Sequence, residues 1–274
     1  MGILDNKTAI VTGASRGIGE YIARRFASEG AAVAVAARTV EQRDQRFPGT
    51  IHGTVETIRK TGGVAIAVPT DLSRSEDRQR LIETVTDELG PVDILVNNAA
   101  VTYFQPVLDF PRARFDLMFE VQVRAPFELS QLVLPGMKER GGGWILNISS
   151  GAARHPQMPP TGPGAGRGGT VYGMVKAAME RFSTGLASEV YADGIAVNAL
   201  SPSRGVMTPG VVYHFGVTDP AARVAEGTAE APEVMAEAAL ALCSGDPGQL
   251  TGRVTYSQAL LDELGRTPGP LDPA

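Results

Sequence analysis

Short apolar runs alternate with longer amphipathic stretches along most of this chain. Residues 8–11, 31–37, 64–68, 92–96, 144–148 and 195–200 are apolar at successive positions, the pattern of strands buried on both faces, and 253–255 makes a shorter last strand. Between them the period lengthens to that of helices, over 50–60, 73–89, 112–138, 172–191 and 233–242. Strand followed by helix, repeated in this way, predicts an α/β architecture with a doubly wound parallel sheet of about seven strands and helices on both faces. Pro126 falls inside the longest helix and predicts a bend. The pattern lapses over 40–50, 152–170 and 201–232, where breakers accumulate, and again from Gly265 to Ala274, which reads as a loose tail.

With 274 residues, 43% hydrophobic and 20% charged, the chain can bury one large core, so residues 1–274 are read as a single domain. A formal net charge of -5 gives no electrostatic footprint for nucleic acid or an anionic membrane surface. No apolar run is long enough to span a bilayer, and Met1-Gly2-Ile3-Leu4-Asp5 lacks the regions of a signal peptide. The expectation is a cytoplasmic protein with no membrane partner. Cys243 sits in an apolar run and reads as a core residue, while His52, His155 and His214 are scattered without ligand spacing, so no metal is expected.

Candidate chemistry gathers where the predicted strands end. The first strand delivers the chain into Thr12-Gly13-Ala14-Ser15-Arg16-Gly17-Ile18-Gly19, and a helical pattern follows. Strand, glycine turn and helix in that order place backbone N–H groups and a helix N-terminus where a pyrophosphate can sit, the arrangement of a Rossmann-type dinucleotide site. The second strand ends at Arg38, where an acidic residue would bind an unmodified adenosine ribose. An arginine favours a 2′-phosphate instead, and Arg16 adds a second positive charge, so NADP(H) is expected in preference to NAD(H). Arg43, Arg46 and Phe47-Pro48-Gly49 lengthen the next connection, which is read as a flap over the adenosine.

Asn97-Asn98-Ala99-Ala100 ends the fourth strand and Ser149-Ser150 the fifth, both at the sheet edge where such folds bind ligands. A loop rich in Pro and Gly, carrying Arg154, His155 and Arg167, then leads to Tyr172-Gly173-Met174-Val175-Lys176. On a helix, a Tyr and a Lys four positions apart share a face, so an ammonium can lie beside a phenol and lower its pKa towards the range useful for acid/base chemistry.

Thr12-Gly13-x-x-x-Gly17-x-Gly19, Asn97-Asn98-Ala99, the serine after 144–148 and Tyr172-x-x-x-Lys176 fall in the order, and on the elements, of the short-chain dehydrogenase/reductase family, which the chain resembles over about residues 5–260. With its Phe47-Pro48-Gly49-Thr50 insertion and Val234-Met235-Ala236-Glu237-Ala238-Ala239 segment it is similar to a hydroxysteroid-dehydrogenase-like branch. The resemblance implies that Tyr172 gives or takes the proton at a carbonyl or alcohol oxygen and that Ser150 holds that oxygen, with Ser149 as the fallback. Lys176 is implied to bind the nicotinamide ribose and to depress the Tyr172 pKa. Gly13, Ser15, Arg16, Ile18, Gly19 and Arg38 belong to the cofactor site in this reading, with Asp71, Leu72 and Asn98 on the adenosine side and Val206 and Thr208 near the carboxamide.

Three features depart from the family pattern. Gln122 stands where an asparagine usually anchors a proton-relay water, the segment from Ser150 to Tyr172 is long, and Ser201-Pro202-Ser203-Arg204-Gly205-Val206 replaces a Pro-Gly arrangement. The expected function is an NADPH-linked oxidoreductase interconverting a carbonyl and a secondary alcohol on a fairly apolar small-molecule substrate, with 201–232 as a lid. The alternative is a cofactor-binding regulatory or structural protein with weakened catalysis. Apolar faces on 112–138 and 172–191 imply, as in the family, at least a homodimer or a homotetramer.

Overall fold

The computed structural model describes residues 2–42, 44–160, 166, 168–269 and 271. Seven strands form one parallel sheet: β1 (Thr8–Thr12), β2 (Ala32–Ala37), β3 (Val64–Pro69), β4 (Ile94–Asn97), β5 (Gly143–Ile148), β6 (Ile195–Ser201) and β7 (Val254–Tyr256). Their order is β3-β2-β1-β4-β5-β6-β7. Register pairs Thr12 with Ala36 and Val96 with Leu146, so the carboxyl ends of β1, β2, β4 and β5 reach one edge together. The strand order reverses between β1 and β4, and a crevice opens outside the carboxyl ends there.

Helices α1 (Gly17–Ser28), α2 (Ile51–Lys60) and α3 (Ser75–Leu89) follow the first three strands. One core joins Ile22 and Phe26 of α1 with Val33 and Val35, and a second joins Leu81 and Val85 of α3 with Ile10 and Leu95 from the other face of the sheet. Alternate residues of β1 thus enter different cores, as buried parallel strands require.

The single helix expected over 112–138 is two, α4 (Arg112–Phe119) and α5 (Ala125–Glu139), joined by a π-helical turn, Glu120–Arg124. Ala125 N–H donates to the Glu120 carbonyl five residues back. Pro126 has no N–H to offer the Gln122 carbonyl, so an α-helical bond is impossible there and the bend begins before the proline. Helix α6 (Thr170–Glu189) carries Tyr172 and Lys176. Two short helices, α7 (Pro209–Phe215) and α8 (Pro220–Ala225), occupy the region read as breakers and apolar pieces; α7 starts from the Thr208 hydroxyl, which caps Val211 N–H. After α9 (Pro232–Ser244) and β7, a further helix, α10 (Ser257–Leu264), continues past the last expected element.

Arg266 donates to Glu237 at 3.0 and 2.7 Å, and Arg25 donates to the same carboxylate at 2.8 Å, so the start of the segment expected to be loose is fastened to α9 and α1. Pro270 and 272–274 lie outside the described residues, as do Arg43 and Arg167.

Candidate active site

A cavity of about 670 Å³ runs along the carboxyl edge of the sheet, from Arg38 past Tyr172 to α7. Gly13, Ser15, Arg16, Ile18, Arg38, Asp71, Leu72, Asn98, Ser150, Tyr172, Lys176, Val206 and Thr208 all line it. Gly19 and Gln122 do not.

The glycine turn is tight because Asn98 sits inside it. Its amide donates to the Thr12 carbonyl at 2.8 Å, and a Cβ on Gly19 would lie 2.4 Å from that nitrogen. Gly13 adopts φ 67°, and a Cβ there would meet the Ala99 Cα at 2.7 Å. Only glycine fits at both positions. The α1 N-terminus then opens on the cavity with Gly17 and Ile18, a cradle suited to a pyrophosphate. Asp71 is held by Ser73, whose N–H and hydroxyl donate to it at 3.0 and 2.8 Å.

At the far end, Arg16 and Arg38 border a recess together with Thr39 and Phe47. Arg16 donates to the carbonyls of Pro48 and Gly49 at 3.1 and 3.0 Å and to the Thr39 hydroxyl at 3.1 Å. Burial lowers its pKa and the neighbouring Arg38 lowers it further, while the Asp44 carboxylate, which borders the same recess with Glu41, opposes the shift. Two cations so placed repel each other, and an anion between them would relieve the repulsion. Pro48 and Gly49 therefore fold back onto Arg16, while Arg46 and Phe47 reach across to Tyr213 of α7, with ring centroids of Phe47 and Tyr213 5.1 Å apart.

Ser149 and Ser150 both line the cavity with Tyr172, but the Ser149 hydroxyl is already engaged, donating to Glu180 at 2.7 Å, which leaves Ser150 as the hydroxyl that bears on the phenol. The implied lowering of the Tyr172 pKa is not what the structure gives. Burial raises it, and the Ser150 contact only works against that rise. The reason is geometric: Lys176 donates to the Ile148 carbonyl at 2.8 Å, and its nitrogen lies 5.8 Å from the Tyr172 ring centroid. Lys176 is itself buried, which pushes its pKa down to about 8, with the Glu180 carboxylate opposing.

Gln122 is fully buried; its amide nitrogen donates to the Val101 carbonyl at 2.8 Å, and its Oε1 has no hydrogen-bond partner among the described residues. Asn97, expected at the cavity edge, turns into the core instead. There it donates to Asn147 at 2.9 Å, and Asn147 donates to Ser183 of α6 at 2.8 Å, tying β4 and β5 to the helix that carries Lys176.

Sequence reasoning passed over Glu180, one turn beyond Lys176 on the same face, a spacing that was there to be read. It also passed over Arg78, a buried guanidinium that donates to the Leu72 carbonyl and pairs with Glu120 and Glu128 at 2.9 and 2.7 Å. No local pattern marks that bond, since it joins three elements. Among the described residues, no helix is long and apolar enough to cross a membrane and no cluster of His, Cys, Asp or Glu could hold a metal ion.

The short chain dehydrogenase family model matches residues 7–211. The chain is 39% identical over 204 residues to a short chain dehydrogenase of Pseudocercospora fijiensis, an alignment covering 73% of this chain and 60% of that relative. It thus spans less than two thirds of that relative's length. With the 7alpha-hydroxysteroid dehydrogenase of Escherichia coli (strain K12) it is 34% identical over 269 residues, covering 95% of this chain and 96% of the relative. A solved structure of 7alpha-hydroxysteroid dehydrogenase complexed with NADH and 7-oxo glycochenodeoxycholic acid superimposes with a TM-score of 0.78 at 32% identity, covering 92% of this chain and 93% of that one. Similarity of that extent supports the hydroxysteroid-dehydrogenase-like branch. The chain belongs to the short-chain dehydrogenase/reductase family of NAD(P)-dependent oxidoreductases.

Proposed function

We propose that this protein uses NADPH or NADP to interconvert a carbonyl and a secondary alcohol on a fairly apolar small molecule. The observation that carries the reading is the gathering of Ser150, Tyr172 and, one turn behind, Lys176 in the same cavity as the glycine cradle and the arginine pair. When bound, the nicotinamide supplies or accepts the hydride. Tyr172 gives its phenolic proton to the substrate oxygen in reduction and takes it back in oxidation, and Ser150 holds that oxygen in place. A phenol whose pKa burial has raised keeps its proton at neutral pH, which suits it to the donor role; the positive charge of Lys176 steadies the phenolate left behind. Lys176 also offers N–H donors to a ribose, and Gln122 supports the π-helical turn beside these groups.

The preference for NADP(H) rests on Arg16 and Arg38. A relative solved with NADH is the competing case, and if this chain used NADH its Arg38 would be a solvated side chain. Within 201–232, helix α7 forms the cavity-facing part of the lid, since Pro209, Val211 and Phe215 line the cavity. Residues 1–274 are read as a single domain, and the cytoplasmic location rests on the sequence alone.

Phe127 of α5 and Phe182 of α6 pack edge to face at 6.0 Å, and Phe127, Leu132 and Met174 remain exposed, a face that fits pairing across a two-fold axis in at least a homodimer. A tetramer is the larger alternative. The intact Ser150, Tyr172 and Lys176 constellation favours an enzyme over a binding protein of the same fold.

The test is to incubate the purified protein with NADPH and a panel of ketones, aldehydes and 3-oxoacyl thioesters, following absorbance of the reduced cofactor. Turnover of at least one apolar carbonyl is expected. NADPH binding without turnover of any member would favour the binding-protein reading.

A further inference from the structure

The half of the cavity beyond Tyr172 has a chemical character distinct from the cofactor half. Among the described residues, the Asp, Glu, Lys and Arg side chains that line the cavity are Arg16, Arg38, Asp71 and Lys176, and the first three belong to the adenosine end. Beyond Tyr172 three rings, Phe104, His214 and Phe215, stand in the wall among small and aliphatic residues. Phe104, in the loop after β4, stands with its ring edge to face against Tyr172, with centroids 5.7 Å apart and planes at 72°. The same ring meets His214 at 6.4 Å and Phe215 at 5.9 Å, both from α7. Phe104 therefore joins the phenol to the lid, and a substrate presenting its carbonyl to Tyr172 must lie along it. Phe104 and Phe215 are also 38% and 55% exposed, so each has ring surface left to cover. A saturated, puckered substrate would cover that surface less completely than a flat one, and it has no π-face to meet a ring edge.

We propose that Phe104, together with His214 and Phe215, selects carbonyl substrates attached directly to a planar conjugated ring, that is, aryl ketones and the corresponding secondary alcohols. This rests on the carbonyl–alcohol reading above and narrows its substrate class. The ring lies flat along the wall, and its carbonyl projects towards Ser150 and Tyr172.

Acetophenone and cyclohexyl methyl ketone test this, because they share a carbon skeleton and differ in flatness and conjugation. Their intrinsic reactivities differ, so the informative quantity is the ratio of their kcat/KM values in the parent against the same ratio in Phe104→Leu and in Phe215→Leu. Leucine keeps apolar volume but removes the π-face. Any shift of Tyr172 caused by Phe104→Leu slows both ketones alike and cancels in the ratio; Phe215 makes no ring contact with Tyr172. Aromatic contacts of this kind correspond to about a threefold to tenfold effect per ring, so the aryl preference should fall by that factor in at least one variant. A ratio that stays within about twofold of the parent's in both variants, below the smallest effect such a contact gives, overturns the proposal. So does turnover of other carbonyls with none of acetophenone, which leaves the carbonyl–alcohol reading intact. Absence of turnover with every carbonyl overturns that reading and this one with it.

Discussion

Replacing Arg38 by alanine removes one of the two cations at the adenosine end while leaving the glycine cradle untouched. Arg38 is exposed at the end of β2, and Arg16 is already engaged with the Pro48 and Gly49 carbonyls, so Arg38 is the freer partner for a 2′-phosphate. A charge-assisted contact is worth about 1.5–3 kcal/mol, and exposure to solvent argues for the lower end, about a tenfold change in affinity. NADPH should therefore bind roughly tenfold more weakly to Arg38→Ala, while NADH, which lacks the phosphate, should be nearly unaffected. Fluorescence titration of both cofactors at two ionic strengths measures this. The NADPH advantage of the parent should shrink as salt rises, because the contact is screened. Equal affinities in the parent, or a preference that survives Arg38→Ala, would refute the assignment.

Further expectations concern the chemistry behind the phenol. With Lys176 pushed down to about 8 by burial, reduction should weaken above that pH as the ammonium loses its proton. Glu180 opposes that shift, so Glu180→Gln should move the alkaline limb of the kcat/KM profile to lower pH; an unmoved limb, or one moved upward, would count against it. Gln122→Asn shortens the amide by one methylene and breaks the bond to the Val101 carbonyl, so it should lower stability by about 1 kcal/mol and the Tm by roughly 2–4 °C, with slower turnover. Calorimetry showing an unchanged Tm would show that the surrounding π-helical turn adapts. Light scattering at micromolar concentration should give a dimer or larger, and a monomer would remove the role given to Phe127 and Phe182.

What the sequence made legible were the features with short-range causes. Seven strands, their alternation with helices and the glycine turn follow from local periodicity and from backbone conformations that only glycine adopts, and each lies where its pattern placed it. Helix spacing placed Lys176 on the same side as Tyr172, but not the direction of its nitrogen, which turns to Ile148 and leaves burial to set the phenol's pKa. Asn97 and Asn98 are neighbours of like chemistry, yet the pleat sends one into the core and the other into the glycine turn. The π-helical turn was half visible: Pro126 marked the disruption, while its start at Glu120 depends on how two helices pack. Phe104, Arg78 and the fastening of Arg266 to Glu237 join residues far apart in the chain, and no periodicity reports such contacts.

Tyr172→Phe tests the central claim most directly, because it deletes one hydroxyl and keeps the ring that packs against Phe104. With a carbonyl the parent reduces, turnover should fall by roughly 10² to 10⁴, the usual contribution of a positioned acid or base, while NADPH affinity by titration stays within about twofold. A variant that reduces the same carbonyl as fast as the parent would contradict the assignment of Tyr172 as the proton donor.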